Sequence, residues 1–171
     1  MSAVGRTLNG LLNWTISIFF IAMVFLVFFN VVLRYGFNSG ITWSEEMSRY
    51  LFVWIVFLGA IVAYKDKAHL GVDLVIGNLP RSQQKVLYTI NNLIVIGVLG
   101  LIIYGGAQIF GVASINYGPA TGIPFSFMYL AGLISAITMV VLTIIQTVDF
   151  VVFNKNDPPW AKPFEEGESE T

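Results

Sequence analysis

From Val86 to Val148 the chain runs for 63 residues without a single charged side chain. A water-soluble fold of that length would need charges on its outer face, since about a quarter of residues in ordinary globular chains are charged. In hydrocarbon the requirement reverses, and a helix crosses with about 20 apolar residues rising about 1.5 Å each. The stretch therefore holds two crossings. Its turn signals, Gly118-Pro119 and Gly122-Ile123-Pro124, fall in the middle and divide it. Spans are expected at residues 86–111 and 125–150.

Shorter charge-free runs place the other spans. Between Arg6 and Arg34 lie 27 uncharged residues, enough for one helix at 11–33. Between Arg49 and Lys65 lie only 15, so a second helix must start upstream and carry Glu45, Glu46 and Arg49 into the interface. Thr42-Trp43-Ser44-Glu45 reads as a capping box that provides such a start, with both glutamates in a first turn whose dipole favours anions. This gives a span at 43–64. The expected fold class is an all-α integral membrane protein with four transmembrane helices, in keeping with 56% hydrophobic and 11% charged residues and a mean hydropathy of +0.76. The front of the chain does not read as a cleavable signal, because Arg6 is a weak basic region and the apolar run is too long.

Orientation follows from counting Lys and Arg by side. With both termini on one side, Arg6, Lys65, Lys67, Arg81, Lys85, Lys155 and Lys162 make seven, against Arg34 and Arg49 on the other. Both ends are expected in the cytoplasm. The segment from His69 to Pro80 is too apolar for a free loop and too short to cross, and reads as a short interfacial segment between helices 2 and 3. Pro80 suits the first position of the next helix, which would then project out of the bilayer past Lys85. Residues 1–153 form the expected membrane domain, and 154–171 a disordered acidic cytoplasmic tail.

Several function classes fall away. Nine scattered cations offer no nucleic-acid surface. The absence of Cys removes disulfides, thiolate metal sites and thiol nucleophiles. Ionisable groups at mid-span mark transport paths, and helix breaks or internal repeats mark secondary transporters; neither is read in this sequence. The mid-span polar residues Asn30, Asn91, Asn92, Gln108 and Gln146 serve helix contacts as readily as substrate. Catalysis, metal and cofactor are not expected in this chain.

Contact faces remain. Helix 2 is bulky along Trp43, Met47, Tyr50, Trp54, Phe57 or Leu58, and Ile61, and thins to small residues along Glu45, Arg49, Phe52, Val56, Gly59 and Ala63. Small residues allow helices to approach closely in lipid, so Gly59 and Ala63, Gly97 and Gly100, and Gly132 and Ala136 are expected packing positions. The Phe-rich first span suits lipid or a large partner. Arg34 reads as a snorkelling cation. Glu45, Glu46 and Arg49 read equally well as local capping with an i to i+4 pair and as an outer docking cluster. His69 and Asp73 share the i to i+4 spacing without the ligand number of a metal site.

The run Asn30-Val31-Val32-Leu33-Arg34-Tyr35, then Trp43-Ser44-Glu45-Glu46 and Arg49-Tyr50-Leu51-Phe52-Val53-Trp54, then Phe57-Leu58-Gly59-Ala60, and His69-Leu70-Gly71-Val72-Asp73 with Leu79-Pro80, resembles the small, DctQ-like membrane subunit of tripartite ATP-independent periplasmic (TRAP) transporters. The resemblance covers residues 11–150 and is most specific from Asn30 to Pro80. It implies a multi-pass protein of the bacterial inner membrane. It also implies a large membrane subunit bearing the sodium and substrate sites, and a periplasmic binding protein that delivers an organic anion. The small subunit then acts as a scaffold widening the static part of an elevator-type transporter. Asn30, Arg34, Trp43, Glu45, Glu46 and Arg49 match the family's outer-face motif, and His69 with Asp73 its cytoplasmic one. Overall likeness points first to sialic acid, then to a C4-dicarboxylate. The alternatives are a membrane anchor of a haem- or quinone-linked oxidoreductase, which would want paired His inside the spans, and a small proton-coupled exporter, which would want a buried carboxylate there.

Overall fold

The computed structural model describes residues 3–65 and 81–151, with side chains over 10–65 and 83–149. Four helices carry it: α1 (Ala3–Gly36), α2 (Thr42–Lys65), α3 (Arg81–Ala113) and α4 (Ser126–Val151). Each contains a stretch long and apolar enough to cross a membrane. Many of these residues are Val, Ile and Phe, which do not favour helices in water. In a bilayer core every backbone N–H and C=O must be satisfied within the segment, and that requirement outweighs propensity. No strand occurs among the described residues; one isolated bridge joins Tyr117 to Pro124.

α1 is longer at its start than the expected span, and α3 reaches out past Lys85 as Pro80 implied. α1 begins at Ala3, well before residue 11, and α3 begins at Arg81, so Lys85 lies inside its first turns. The interfacial segment with His69 and Asp73, and the acidic tail, lie outside the described residues.

The principal contacts join α1 to α2, α2 to α4, and α4 to α3. The helices therefore form an open row in which α1 and α3 each have one substantial neighbour. An even number of crossings brings the Gly36 to Thr42 connection and the Ala113 to Ser126 connection to the same end, called here the two-loop end. Little of the row is interior: among the described residues the largest fully buried side chains are polar, namely Ser44, Gln84, Ser135 and Thr143. Such residues bond across helices where lipid offers no partner. Ser135 Oγ donates to the Phe57 carbonyl at 2.9 Å, the Tyr64 and Thr143 hydroxyls meet at 2.6 Å, and Asn92 Nδ2 donates to Thr147 Oγ1 at 2.7 Å.

Candidate functional site

Two clamps at the two-loop end organise the motif residues. The first joins α1 to α2. α1 ends where Asn38 adopts a left-handed conformation (φ 54°), which Asn tolerates better than most residues, and the Ser39 N–H turns back to the Leu33 carbonyl at 3.1 Å. The chain then meets Asn30, only 7% exposed, whose Oδ1 accepts the Ile41 N–H at 2.7 Å and whose Nδ2 donates to Glu45 Oε1 at 3.3 Å. Ser44 Oγ donates to the Leu26 carbonyl at 2.8 Å, one turn deeper. Arg34 Nη1 stands 3.7 Å from the same Glu45 oxygen, with side chains 65% and 57% exposed. An ion pair that open contributes less than about 1 kcal/mol. The buried amide, and not the ion pair, holds this corner. Asn30, Arg34, Asn38, Gly40, Thr42 and Glu45 line a polar recess of about 340 Å³.

This arrangement corrects the expected capping box. Glu45 turns sideways to Asn30 and Arg34 instead of back to the Thr42 amide, because α1 places an amide donor and a cation within its reach. The N–H at the mouth of α2 is capped from the neighbouring helix, by Asn30.

The second clamp joins α2 to the connection between α3 and α4. Glu46 reaches 74 residues along the chain to accept the Ala120 N–H at 3.0 Å, and accepts the Thr121 N–H at 2.9 Å and the Thr121 hydroxyl at 2.8 Å. One turn below, the Tyr50 hydroxyl donates to the Ile123 carbonyl at 2.9 Å. Loop bonds from Gly118 N–H to Ile123, Gly122 N–H to Gly118 and Phe125 N–H to Asn116, each 2.9 Å, close the turn, with Gly122 at φ 68°. Gly118 lies directly under the carboxylate: a Cβ there would stand 2.5 Å from Glu46 Oε2. Tyr50 and Trp54 pack on the Phe127 ring, with centroids 6.3 and 5.2 Å apart. Tyr117, Pro119, Ala120 and Gly122 remain exposed on the loop.

The other motif residues are differently placed. Trp43 is about half exposed at the start of α2. Arg49 is exposed and makes no salt bridge or hydrogen bond among the described residues; Glu46, which acts on it electrostatically, has its carboxylate engaged by the loop. Gly132 and Ala136 sit at helix contacts, Gly132 against the Phe57 ring at 3.2 Å and Ala136 only 4% exposed. The other expected packing glycines meet no neighbour among the described residues of this chain. A Cβ built at Gly59, Gly97 or Gly100 meets nothing within 4 Å, and Ala63 is exposed. α2 buries its bulky Tyr50, Leu58 and Ile61 side and leaves the small side open, because Phe57 and Tyr64 fill the recesses of α4. On α3 the close approach is at Gly106, where a Cβ would lie 2.9 Å from Leu133 Cδ2. Sequence reasoning missed that glycine because α3 holds several at helical spacing and only the partner's side chain selects one.

Four spanning helices and two clamped connections define a multi-pass helical membrane subunit. The chain belongs to the tripartite ATP-independent periplasmic transporter family, DctQ component, whose sequence pattern matches residues 23–152. It is 42% identical over 135 residues to a TRAP transporter small permease protein of Haemophilus influenzae, covering 79% of this chain and 82% of the relative. A second such protein of that organism is 37% identical over 152 residues, covering 86% and 94%. The sialic acid TRAP transporter permease protein SiaT of Haemophilus influenzae is 30% identical over 146 residues, which are 85% of this chain and 24% of that longer protein. Small permease subunits of this family work with a large membrane subunit and a periplasmic binding protein. The chain is thus a transporter subunit of the bacterial inner membrane, and not an enzyme.

Proposed function

We propose that this chain is the scaffold subunit of a sodium-driven importer of an organic anion, with sialic acid as first candidate and a C4-dicarboxylate as second. In this reading the large subunit holds sodium and substrate, and this chain fixes its position and helps to dock the binding protein. The observation that supports a scaffold is the engagement of the span-end polar groups within the chain itself: Asn30, Glu45, Glu46 and Tyr50 hold loops and helix ends together. Such groups serve geometry. The likeness to SiaT over most of the chain supports sialic acid.

The positive-side count supports placing both termini in the cytoplasm, with seven of the nine Lys and Arg residues on that side. The two-loop end then faces the periplasm. There the loop held by Glu46 and Tyr50 offers the binding protein a preformed surface, which lowers the ordering cost of docking.

Reconstitution tests the reading. Proteoliposomes holding this chain alone are expected to take up no sialic acid under a sodium gradient, and those holding both membrane subunits with the binding protein are expected to take it up. Uptake by this chain alone, or full uptake without it, would refute the scaffold role. Parallel uptake of a C4-dicarboxylate decides the substrate.

A further inference from the structure

We infer that the polar recess between α1 and α2 at the two-loop end is a headgroup site for a zwitterionic phospholipid with a primary ammonium, its phosphate on Arg34, its ammonium on Glu45 and its acyl chains along α1. The site concerns the membrane and not the other transporter subunits, and it holds for either orientation of the chain.

The recess, about 340 Å³, runs from Asn38 and Gly40 on the connecting loop to Asn30, one turn deeper than Arg34. Its two charges are opposite in sign and incompletely matched. Arg34 Nη1 stands 3.7 Å from Glu45 Oε1, beyond hydrogen-bond reach, and Arg34 makes no hydrogen bond among the described residues. Its N–H donors are therefore available to an acceptor from outside. Glu45 is held off by its other contact: Oε1 accepts from Asn30 Nδ2 at 3.3 Å, and Asn30 is itself fixed by the Ile41 N–H at 2.7 Å. A buried amide thus keeps the carboxylate beside the guanidinium instead of closed upon it.

Such a pair complements a molecule that carries both signs. Phosphate oxygens suit the planar guanidinium, and a primary ammonium offers three donors to the carboxylate. A trimethylated ammonium has no N–H to give Glu45. An anionic glycerol headgroup brings Glu45 no cation at all. Phosphatidylethanolamine satisfies both ends.

The surroundings favour a lipid over a protein side chain. Tyr35 and Trp43, next in sequence to the lining residues Arg34 and Thr42, are 82% and 47% exposed, and such aromatic residues collect at the boundary of membrane and water. Below Arg34, Val31, Val27, Val24 and Phe20 follow at intervals of three and four residues, so they share its side of α1, and each is about half exposed. From Arg34 to Val24 the helix descends about 15 Å, half of a hydrocarbon core about 30 Å thick. Acyl chains of one leaflet run down this stripe while the headgroup rests on the charged pair.

The test is native mass spectrometry of the complex of both membrane subunits, taken from nanodiscs of phosphatidylethanolamine, phosphatidylcholine and phosphatidylglycerol in equal parts with identical acyl chains. The lipid carried on the small subunit as it is released from the complex is counted. Phosphatidylethanolamine is expected to exceed the other two. Arg34→Gln and Glu45→Gln are each expected to lower its retention about tenfold; glutamine at 45 keeps an acceptor for Asn30, so the α1 to α2 corner stays closed. Arg49→Gln, which removes an exposed cation of the same end outside the recess, is expected to leave retention unchanged. Glycerophosphoethanolamine, which has the headgroup and no acyl chains, is not expected to displace the lipid. Equal retention of the three lipids, an equal loss in Arg49→Gln and Arg34→Gln, or displacement by the soluble headgroup would overturn the assignment. Unchanged lipid selectivity in Arg34→Gln together with weaker capture of the binding protein would also overturn it, and would give the recess to that protein.

Discussion

Gly118 and Glu46 act as a single device, although 72 positions separate them. The Glu46 carboxylate occupies the space a side chain at 118 would need. That carboxylate is the far end of a flexible chain, so Gly118→Ala is expected to displace it without breaking the backbone. The variant should then behave as Glu46→Ala does, with amide exchange at Ala120 and Thr121 faster by about tenfold. Because both changes release the same bonds, the double variant should exchange no faster than either single one. Additive effects in that cycle would show two independent roles. At the other clamp the ranking reverses the intuition that charges dominate. Asn30→Leu leaves the Ile41 N–H without its acceptor, an expected loss of about 1–3 kcal/mol, whereas Arg34→Gln removes only an open ion pair. Unfolding of the two variants, compared by thermal scanning in the same detergent, checks this order.

Among elements, glycine position decides tolerance. Gly132→Leu would drive a branched side chain into the Phe57 ring at the α2 to α4 contact, and overpacking of this kind costs about 1–3 kcal/mol. Gly97→Leu and Gly100→Leu point into open space and are expected to leave the unfolding midpoint of the isolated subunit unchanged. A midpoint that drops equally for 97 and 132 would contradict the row of contacts. The spans themselves were legible in the sequence because charge placement and length determine them, and the loop turn because Gly118, Gly122 and two prolines mark it. Which small-residue faces serve this chain's own contacts was not. A small residue reads the same whether it faces its own chain or another, and which of α2's two sides is buried depends on Phe57, Tyr64 and their recesses in α4. The capping motif misled for a related reason: Thr42 to Glu45 is a local signal, and Asn30 overrides it from another helix.

At the scale of the molecule, the open row α1, α2, α4, α3 leaves each terminal helix of the row held along one side. In α1 the most apolar stretch is only 6% buried by its own chain. A protein with so little interior owes its stability to its neighbours by mass action, since whatever binds the folded form draws the equilibrium toward it. Cells remove membrane proteins that open too often. The amount of this subunit in the membrane should therefore follow the supply of its partner, and not its own rate of synthesis. In cells lacking the large subunit its steady-state level is expected to fall several-fold at constant transcript, as a pulse-chase would measure. An open architecture of this kind would then double as a stoichiometry gauge, discarding unassembled copies without a dedicated sensor.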